Sequence, residues 1–446
     1  MHVVTRFPPS PTGYFHIGSA RTALFNYLFA KHNGGKMVMR FEDTDRERSK
    51  KEFEKDILEG ILWLGLEHDG AVLRQSERTD IYRERLATLI KSGHAYEAEE
   101  STTEAGKKVI RFKNPNVRVT FTDLIRGEVS FETAELEDFI IARTMNEPLY
   151  NFAVVVDDYD MGITHVIRGE DHISNTQRQI LMLEALGCER PVYAHLPLIL
   201  APDKSKLSKR HGAVSVNEYR AEGYLPEALV NYLALLGWNP GGQQELFSLQ
   251  ELIEKFDITQ VHKAGAVFDT EKLRWFNKEY LGRMNETDFS KNALAILREE
   301  LSARKVPFDE GVGARLVPIL KERTSIWDDI RKAAREGEYD YFFGVRTLDL
   351  GKLPGKDSNK AAAREHLTQV HQLLSEGKEA FEGGSEAIKA QIWPYAGQMG
   401  RGAVLWPFRY ALTGKEKSPD PFAVSYVMGA ANTLSALRDA IKLLSS

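Results

Sequence analysis

Cysteine is almost absent: Cys188 is the only one in 446 residues. No intramolecular disulfide is possible, and a zinc site built on paired cysteines is out of reach. A large basic excess is missing too. The formal net charge of −5 argues against a non-specific nucleic-acid coat protein, which needs many cations for phosphate contacts, but it leaves room for a local basic face. No apolar run approaches the ~18 residues of a membrane span, so no membrane association is expected. The opening MHVVTRFPPSPTG lacks a charged segment followed by an apolar one, so no secretion signal is expected. These absences support a soluble cytoplasmic protein. What is present is 42% hydrophobic and 28% charged, enough to bury a sizeable core. The length suggests roughly two to four packed units.

The chain opens with an apparent βαβ unit. Residues 3–7 (VVTRF) read as a short buried strand, followed by the Pro/Gly-rich loop PPSPTGYFHIGS. From Ala20 to His32, Ala23, Leu24, Tyr27, Leu28 and Phe29 fall near one helical face, and Gly34-Gly35 ends the helix. KMVMRFED then reads as a second strand. Such a unit implies parallel strands with a right-handed crossover, and ligands bind beyond the carboxyl ends of those strands. Arg6 ends the first strand, and Glu42, Asp43 and Asp45 end the second, so both charge sets point at one crevice. Helices are expected over 52–66 and 77–92, and a small α+β insertion over 93–148, with strand-like KVIRFK, VTFTDLI and EVSFET. Residues 149–202 are expected to return to the sheet, with NFAVVVDD and THVIRGE as buried strands and a helix from Asn175 to Leu186. Beyond 215 the pattern is mostly helical: Ser248 with Glu251 has capping-box spacing, and Leu434, Leu437, Ile441 and Leu444 form a stripe on the last helix. GKLPGKDSNK (351–360) reads as a linker.

Two loops carry the chemistry. RFPPSPTGYFHIGS is neither a Walker loop nor a GxGxxG fingerprint. It places His16 and Gly18 just before a helix N-terminus, whose unpaired N–H groups and partial positive charge suit phosphate; taken alone, it reads equally well as an ordinary Pro/Gly turn with a surface histidine. The second, DKSKLSKRHG, gathers Lys204, Lys206, Lys209, Arg210 and His211. A charge run is most often a solvated face, but this one follows the buried strand HLPLIL and an Ala-Pro turn, which sets it at the same sheet edge. Cations there would neutralise charge developing on a phosphate.

Together the two segments carry a resemblance. PSPTG with HIGS resembles the HIGH signature of class I aminoacyl-tRNA synthetases, and KLSKR resembles their KMSKS loop. Over nearly its whole length the chain resembles the bacterial glutamyl-tRNA synthetases, through RFPPSPTGYFHIGSARTALFNYLFAK, RFEDTDRER, YNFAVVVDDYDMGITHVIRGEDHISNTQRQ, KLSKRHGAVSV, VFDTEKLRWFN and RGAVLWPFRYALTG. The resemblance implies an α/β Rossmann-type catalytic domain (1–92 with 149–203), an α+β insertion for the acceptor end (93–148), a stem-contact domain with the KLSKR loop (204–284), and all-α C-terminal anticodon-binding domains (285–350 and 351–446). It also implies ATP with Mg²⁺, glutamate, and tRNA(Glu) as ligands, with tRNA(Gln) as a further substrate if the enzyme does not discriminate, and a monomer.

Roles follow from the same resemblance. Arg6 and Arg168 would pair with the two carboxylates of glutamate, for which a planar bidentate donor is suited; Arg6 is assigned to the side-chain carboxylate. Ser10 and Tyr150 would add hydrogen bonds, Glu42 would receive the α-ammonium, and Phe7, Pro8 and Val154 would complete the glutamate pocket. His16, Lys206 and Lys209 would act on the ATP phosphates, with Gly18, Ser208 and Arg210 beside them, Leu207 near the adenine and Asp171 near the ribose. Arg323 would read the last anticodon base. Arg168 and Glu42 also admit a plain structural ion pair, Tyr150 a core position, and Asp157 and Asp158 read as structural turn or cap residues. Pro8 and Ser19 depart from the family pattern; Ser19 replaces the second histidine of HIGH. No structural zinc is expected. Competing readings are a glutaminyl enzyme, a tRNA-base-modifying relative, a small-metabolite nucleotidyltransferase and a catalytically dead tRNA-binding paralogue. The helical C-terminus, the KLSKR loop and the presence of His16, Lys206 and Lys209 weigh against them.

Overall fold

A computed structural model of the chain describes residues 2–99, 108–207, 215–355 and 358–445. It divides into two compact units, Met1–Tyr280 and Leu281–Ser446.

The first unit is built on parallel strands. β1 (Val4–Phe7) leads through α1 (Ile17–His32) to β2 (Lys36–Phe41), and after α2 (Lys51–Trp63) the short β3 (Leu73–Arg74) joins the far side of β2. β1 runs parallel to β2, with Arg6 opposite Val38. α3 (Thr79–Lys91) leads into the inserted segment, which contains β4 (Ala95–Glu99), β5 (Lys108–Phe112), β6 (Arg118–Asp123), β7 (Gly127–Glu132), β8 (Phe139–Thr144) and β9 (Glu147–Pro148). Next come α4 (Tyr150–Asp160), β10 (His165–Gly169), α5 (Ile173–Ala185), β11 (Val192–Leu196) and β12 (Ile199–Leu200). The Val4 carbonyl accepts from the Thr164 amide at 3.0 Å, which sets β10 beside β1.

The insertion does not stand apart from the catalytic sheet. β4, β5, β8 and β9 form their own antiparallel sheet, but β6 and β7 extend the sheet of β10 and β11, with Asp123 opposite Tyr193. The second correction concerns NFAVVVDD, which is α4 and not a strand. A short apolar run rich in valine reads as strand or as buried helix equally well by periodicity. Burial around most of its circumference decided the outcome, since every residue from Phe152 to Asp158 is buried. The same applies to α1: Phe25 and Asn26 are buried as well as the expected Ala23, Leu24 and Leu28, because this helix has the strands β1 and β2 against it and Phe256 packed on Phe25 at 5.3 Å.

The rest of this unit is α6 (Val216–Ala221), α7 (Pro226–Leu235), α8 (Leu249–Lys255), β13 (Ala266–Val267), which pairs in parallel with β12, and α9 (Thr270–Arg283), which reaches the boundary between the units. The expected capping box of Ser248 and Glu251 starts α8, and Ser215 with Glu218 makes another at α6.

The second unit is helical among the described residues: α10 (Glu286–Ala303), α11 (Glu310–Arg323), α12 (Trp327–Arg335), α13 (Lys360–Glu376), α14 (Ser385–Met399), α15 (Arg401–Thr413) and α16 (Pro421–Leu444). Leu434, Leu437 and Leu444 of the expected stripe are buried. α16 leaves helical geometry at Gly429, and Arg315 of α11 donates to the freed Val427 carbonyl at 3.0 Å. Among the described residues no helix is long and apolar enough to cross a membrane.

Candidate active site

The carboxyl ends of β1, β2 and β10 meet the last turn of α4 in a buried cluster of charges. Asp157 and Asp158 lie inside that turn, not in a cap. Two carboxylates at a helix C-terminus oppose its dipole, and arginines offset them. Arg6 Nε lies 3.2 and 3.3 Å from the Asp158 oxygens. Arg40 bridges Asp158 at 2.5 Å and Glu42 at 3.0 Å, and Asp157 receives Arg78, Gln75 and Tyr82 at 2.7, 2.8 and 2.8 Å. Burial would raise the Asp158 carboxyl, but Arg40 and Arg6 outweigh it and hold it below its ordinary range. For Glu42 burial wins over Arg40, and its pKa is raised. The structural pairing of Glu42 with Arg168 is not formed; Glu42 goes to Arg40.

Arg168 is the next-to-last residue of β10 and is 5% exposed. It pairs with no carboxylate among the described residues. Its Nε donates to His195 Nε2 at 3.2 Å and its Nη2 to Thr176 Oγ1 at 2.8 Å. Nη1 is buried and has no hydrogen-bond partner among the described residues. An unmet N–H group on a buried cation costs free energy, and an anionic ligand would satisfy it. Tyr150 opens α4, and its hydroxyl lies 3.2 Å from His172 Nδ1. Burial first, then Glu42, pushes the phenol up to about 12. Burial first, then the Arg168 charge, drives His172 down to about 4. Both are neutral at pH 7, and the charges acting on Tyr150 are those of Glu42, Arg168, Arg6 and Arg40. The residues expected from the sequence to hold glutamate, Arg6, Glu42, Tyr150 and Arg168, are thus gathered in one place. Phe7 is buried with its ring 5.8 Å from Phe15, Val154 is buried within α4, Pro8 is half-buried and Ser10 is exposed.

His16 caps α1: its Nδ1 accepts from the Ser19 amide at 3.3 Å, and its Nε2 lies 3.0 Å from Ser19 Oγ. A side chain at Gly18 would come within 3.1 Å of the His16 ring, so glycine lets the imidazole fold over the helix start. Ser10, His16 and Ser19 line a recess of about 120 Å³ with Tyr14 and Ile57. Asp171 and Lys206 pair with each other at 3.1 Å. Burial would raise the Asp171 carboxyl, but Lys206, with His172 and a backbone amide, more than offsets that and lowers it. Asp171 has room because a Cβ at Gly169 would sit 2.5 Å from its oxygen. The first loop meets the residues just after the second: Ser215 bridges His16, and the Val216 amide donates to the Phe15 carbonyl at 2.8 Å, while within the second the Leu207 amide donates to the Ile199 carbonyl at 3.0 Å. Ser208, Lys209 and Arg210 lie outside the described residues.

Sequence reasoning missed Asp123, His172, Thr176, His195 and the role of Arg40. In the second unit Arg323 is exposed at the end of α11. Its neighbours in sequence are engaged, Arg331 with Glu300 at 3.2 Å and Lys332 with Asp328 at 3.2 Å.

Known proteins resemble the chain in sequence and fold. The family model described as tRNA synthetases class I (E and Q), catalytic domain, matches residues 2–105 and 97–275, and an anticodon binding domain model matches 270–441. The glutamate–tRNA ligase of Desulforamulus reducens is 40% identical, covering 99% of this chain and 100% of its own. That of Aquifex aeolicus is 50% identical over 70% of this chain and 71% of its own. A crystal structure of a glutamate tRNA ligase from Elizabethkingia meningosepticum, in complex with its amino acid, superimposes with a TM-score of 0.86 at 32% identity and covers 100% of both chains.

Proposed function

The chain belongs to the glutamate–tRNA ligases of the class I synthetases, and we propose that glutamate is activated with ATP in the crevice at the ends of β1, β2 and β10. One observation carries the assignment: the buried Nη1 of Arg168, without a partner among the described residues, beside Arg6, Glu42 and Tyr150. In this reading Arg168 and Arg6 take the two carboxylates, with Arg6 on the side chain, Glu42 takes the α-ammonium, and Tyr150 and Ser10 add hydrogen bonds. Phe7, Pro8 and Val154 shape the pocket.

The α-carboxylate attacks the α-phosphorus of ATP, the bond to the β-phosphate oxygen breaks, and pyrophosphate leaves. A hydroxyl of the terminal tRNA ribose then attacks the adenylate carbonyl and AMP leaves. No covalent enzyme intermediate is needed. The protein supplies position and charge neutralisation: His16, Gly18 and the α1 N-terminus for the phosphates, with Lys206, Ser208, Lys209 and Arg210, and Leu207 and Asp171 toward the nucleoside. Mg²⁺ enters on the nucleotide as part of the substrate. Since Lys206 pairs with Asp171 in the free chain, nucleotide binding exchanges that exposed pair, worth little in itself, for phosphate and ribose contacts. We further read the protein as a monomeric cytoplasmic enzyme. Activation is expected to require tRNA: glutamate-dependent pyrophosphate exchange should stay near background until tRNA(Glu) is added, and strong exchange without it would refute this point.

The tRNA reading is tested by charging. Purified tRNA(Glu) and tRNA(Gln) are offered with glutamate, ATP and Mg²⁺, and acylation of neither would sink the proposal. Arg323, exposed at its helix end, is the candidate reader of the last anticodon base. Arg323→Gln should lower the ratio of tRNA(Glu) to tRNA(Gln) charging by about tenfold, the scale of one lost charged contact. An unchanged ratio would remove Arg323 from that role.

A further inference from the structure

Behind Arg168 lie two buried groups in line. Asp123, the last residue of β6, is 1% exposed, and His195 on β11 is 0% exposed. Asp123 Oδ1 accepts the amides of Ile125 and Arg126 at 2.9 Å and of His195 at 3.3 Å. That leaves Oδ2, which lies 2.6 Å from His195 Nδ1. A carboxylate only accepts, so the proton sits on Nδ1 and Nε2 is the acceptor. Nε2 is the atom that receives Arg168 Nε–H. With Nε held by His195 and Nη2 by Thr176, the plane of the guanidinium is fixed, and Nη1 alone is unmet.

We propose that Asp123 and His195 are positioning residues for glutamate: a strand of the inserted segment orients the guanidinium of Arg168 through the tautomer of one buried imidazole. The inference rests on reading Arg168 as a carboxylate receptor. The intervening ring matters. Arg6 touches Asp158 directly and shares its charge between that carboxylate and the substrate. Arg168 is oriented by a carboxylate one ring away, so its orientation is set while its charge stays available for the substrate. Burial keeps the ring neutral, moving His195 below its ordinary pKa despite Asp123. Burial would raise Asp123, but the hydrogen bonds from His195, Arg126 and Ile125 reverse that.

Asp123→Asn tests the tautomer with little change of shape. Three backbone amides converge on Oδ1, so the amide oxygen must take that place and the NH₂ falls where Oδ2 was. It then donates to Nδ1, the ring proton moves to Nε2, and two N–H groups face each other at Arg168. With the full chain and saturating tRNA(Glu), Asp123→Asn and His195→Phe should each raise KM for glutamate about tenfold or more, the scale of a hydrogen bond to a charged group. KM for ATP should hardly move in either; His195→Phe, which leaves Asp123 Oδ2 without its partner, should also lower the thermal midpoint, so the split between the two KM values is the readout. His195→Gln keeps an acceptor near the Nε2 position and should recover most of the loss. Imidazole ¹⁵N shifts should report a protonated Nδ1 in the parent and a protonated Nε2 in Asp123→Asn, whatever the activity. Arg168→Gln is run alongside. If it raises KM for glutamate and Asp123→Asn does not, or if Asp123→Asn moves both substrates equally, the positioning role is wrong. If Arg168→Gln itself leaves glutamate unaffected, the assignment of Arg168 falls, and this inference with it.

Discussion

Replacing Arg168 by glutamine should lower kcat/KM for glutamate by about a thousandfold. The estimate follows from burial. Removing one partner from a buried, hydrogen-bonded charge pair costs roughly 2–5 kcal/mol, and each 1.36 kcal/mol is about a factor of ten. Glutamine keeps an N–H donor for Thr176 or His195 but not both, and it carries no charge for the substrate carboxylate. Lysine should do little better, because a point charge cannot hold Nε, Nη1 and Nη2 positions at once. KM for ATP should stay within about twofold, since the proposed nucleotide groups His16, Asp171 and Lys206 make no hydrogen bond or ion pair with Arg168 among the described residues. Steady-state charging with each substrate varied in turn would check this. A loss under tenfold, or one shared equally with ATP, would show that Arg168 is a structural residue.

The parts of this site that sit at the ends of strands were legible in the sequence, and the parts built between strands were not. Arg6 and Glu42 were visible because a charged residue that closes an apolar strand of a βαβ unit lies at the ligand edge. The loop of His16 and Gly18 and the lysines after HLPLIL were visible for the same reason, and Ser215, just beyond those lysines, pairs with His16. Asp123 and His195 were hidden. Each stands in a strand-like run where a polar residue reads as incidental, and their meeting depends on β6 pairing with β11 across 72 residues of sequence. No local pattern encodes that pairing. The helix α4 was misread because YNFAVVVDD has the β-branched content of a strand; only the arginines that meet Asp157 and Asp158, successive residues both turned inward, show why a helix is needed there. On a strand, neighbours point to opposite faces.

Those inward carboxylates set the other large effect. Arg40→Met should destabilise the catalytic unit by about 3–5 kcal/mol at pH 7, the usual cost of leaving buried charge without its partner. Arg40 is 0% exposed and serves Asp158, Glu42 and Asp157 together. Burial works against its charge, but these three carboxylates more than offset that and raise its pKa. The sign of the pH dependence separates charge from packing. In the parent, Asp158 is depressed below its ordinary 3.8, so its stabilising contribution is complete above that pH and is lost as pH falls toward the folded value. Without Arg40 only Arg6 opposes burial, so the folded pKa of Asp158 rises from its depressed value. The variant's penalty relative to the parent then grows as pH rises from the parent's folded value toward the variant's higher one, and shrinks on acidification. Glu42, already raised in the parent, would rise further and add to the same trend. The difference between parent and variant should therefore be largest at neutral pH and much smaller near pH 4. Urea midpoints for loss of charging activity, after incubation at each pH and return to neutral buffer, would measure it. An equal difference at both pH values would mean that Arg40 acts by filling space, and the electrostatic account of this cluster would have to be abandoned.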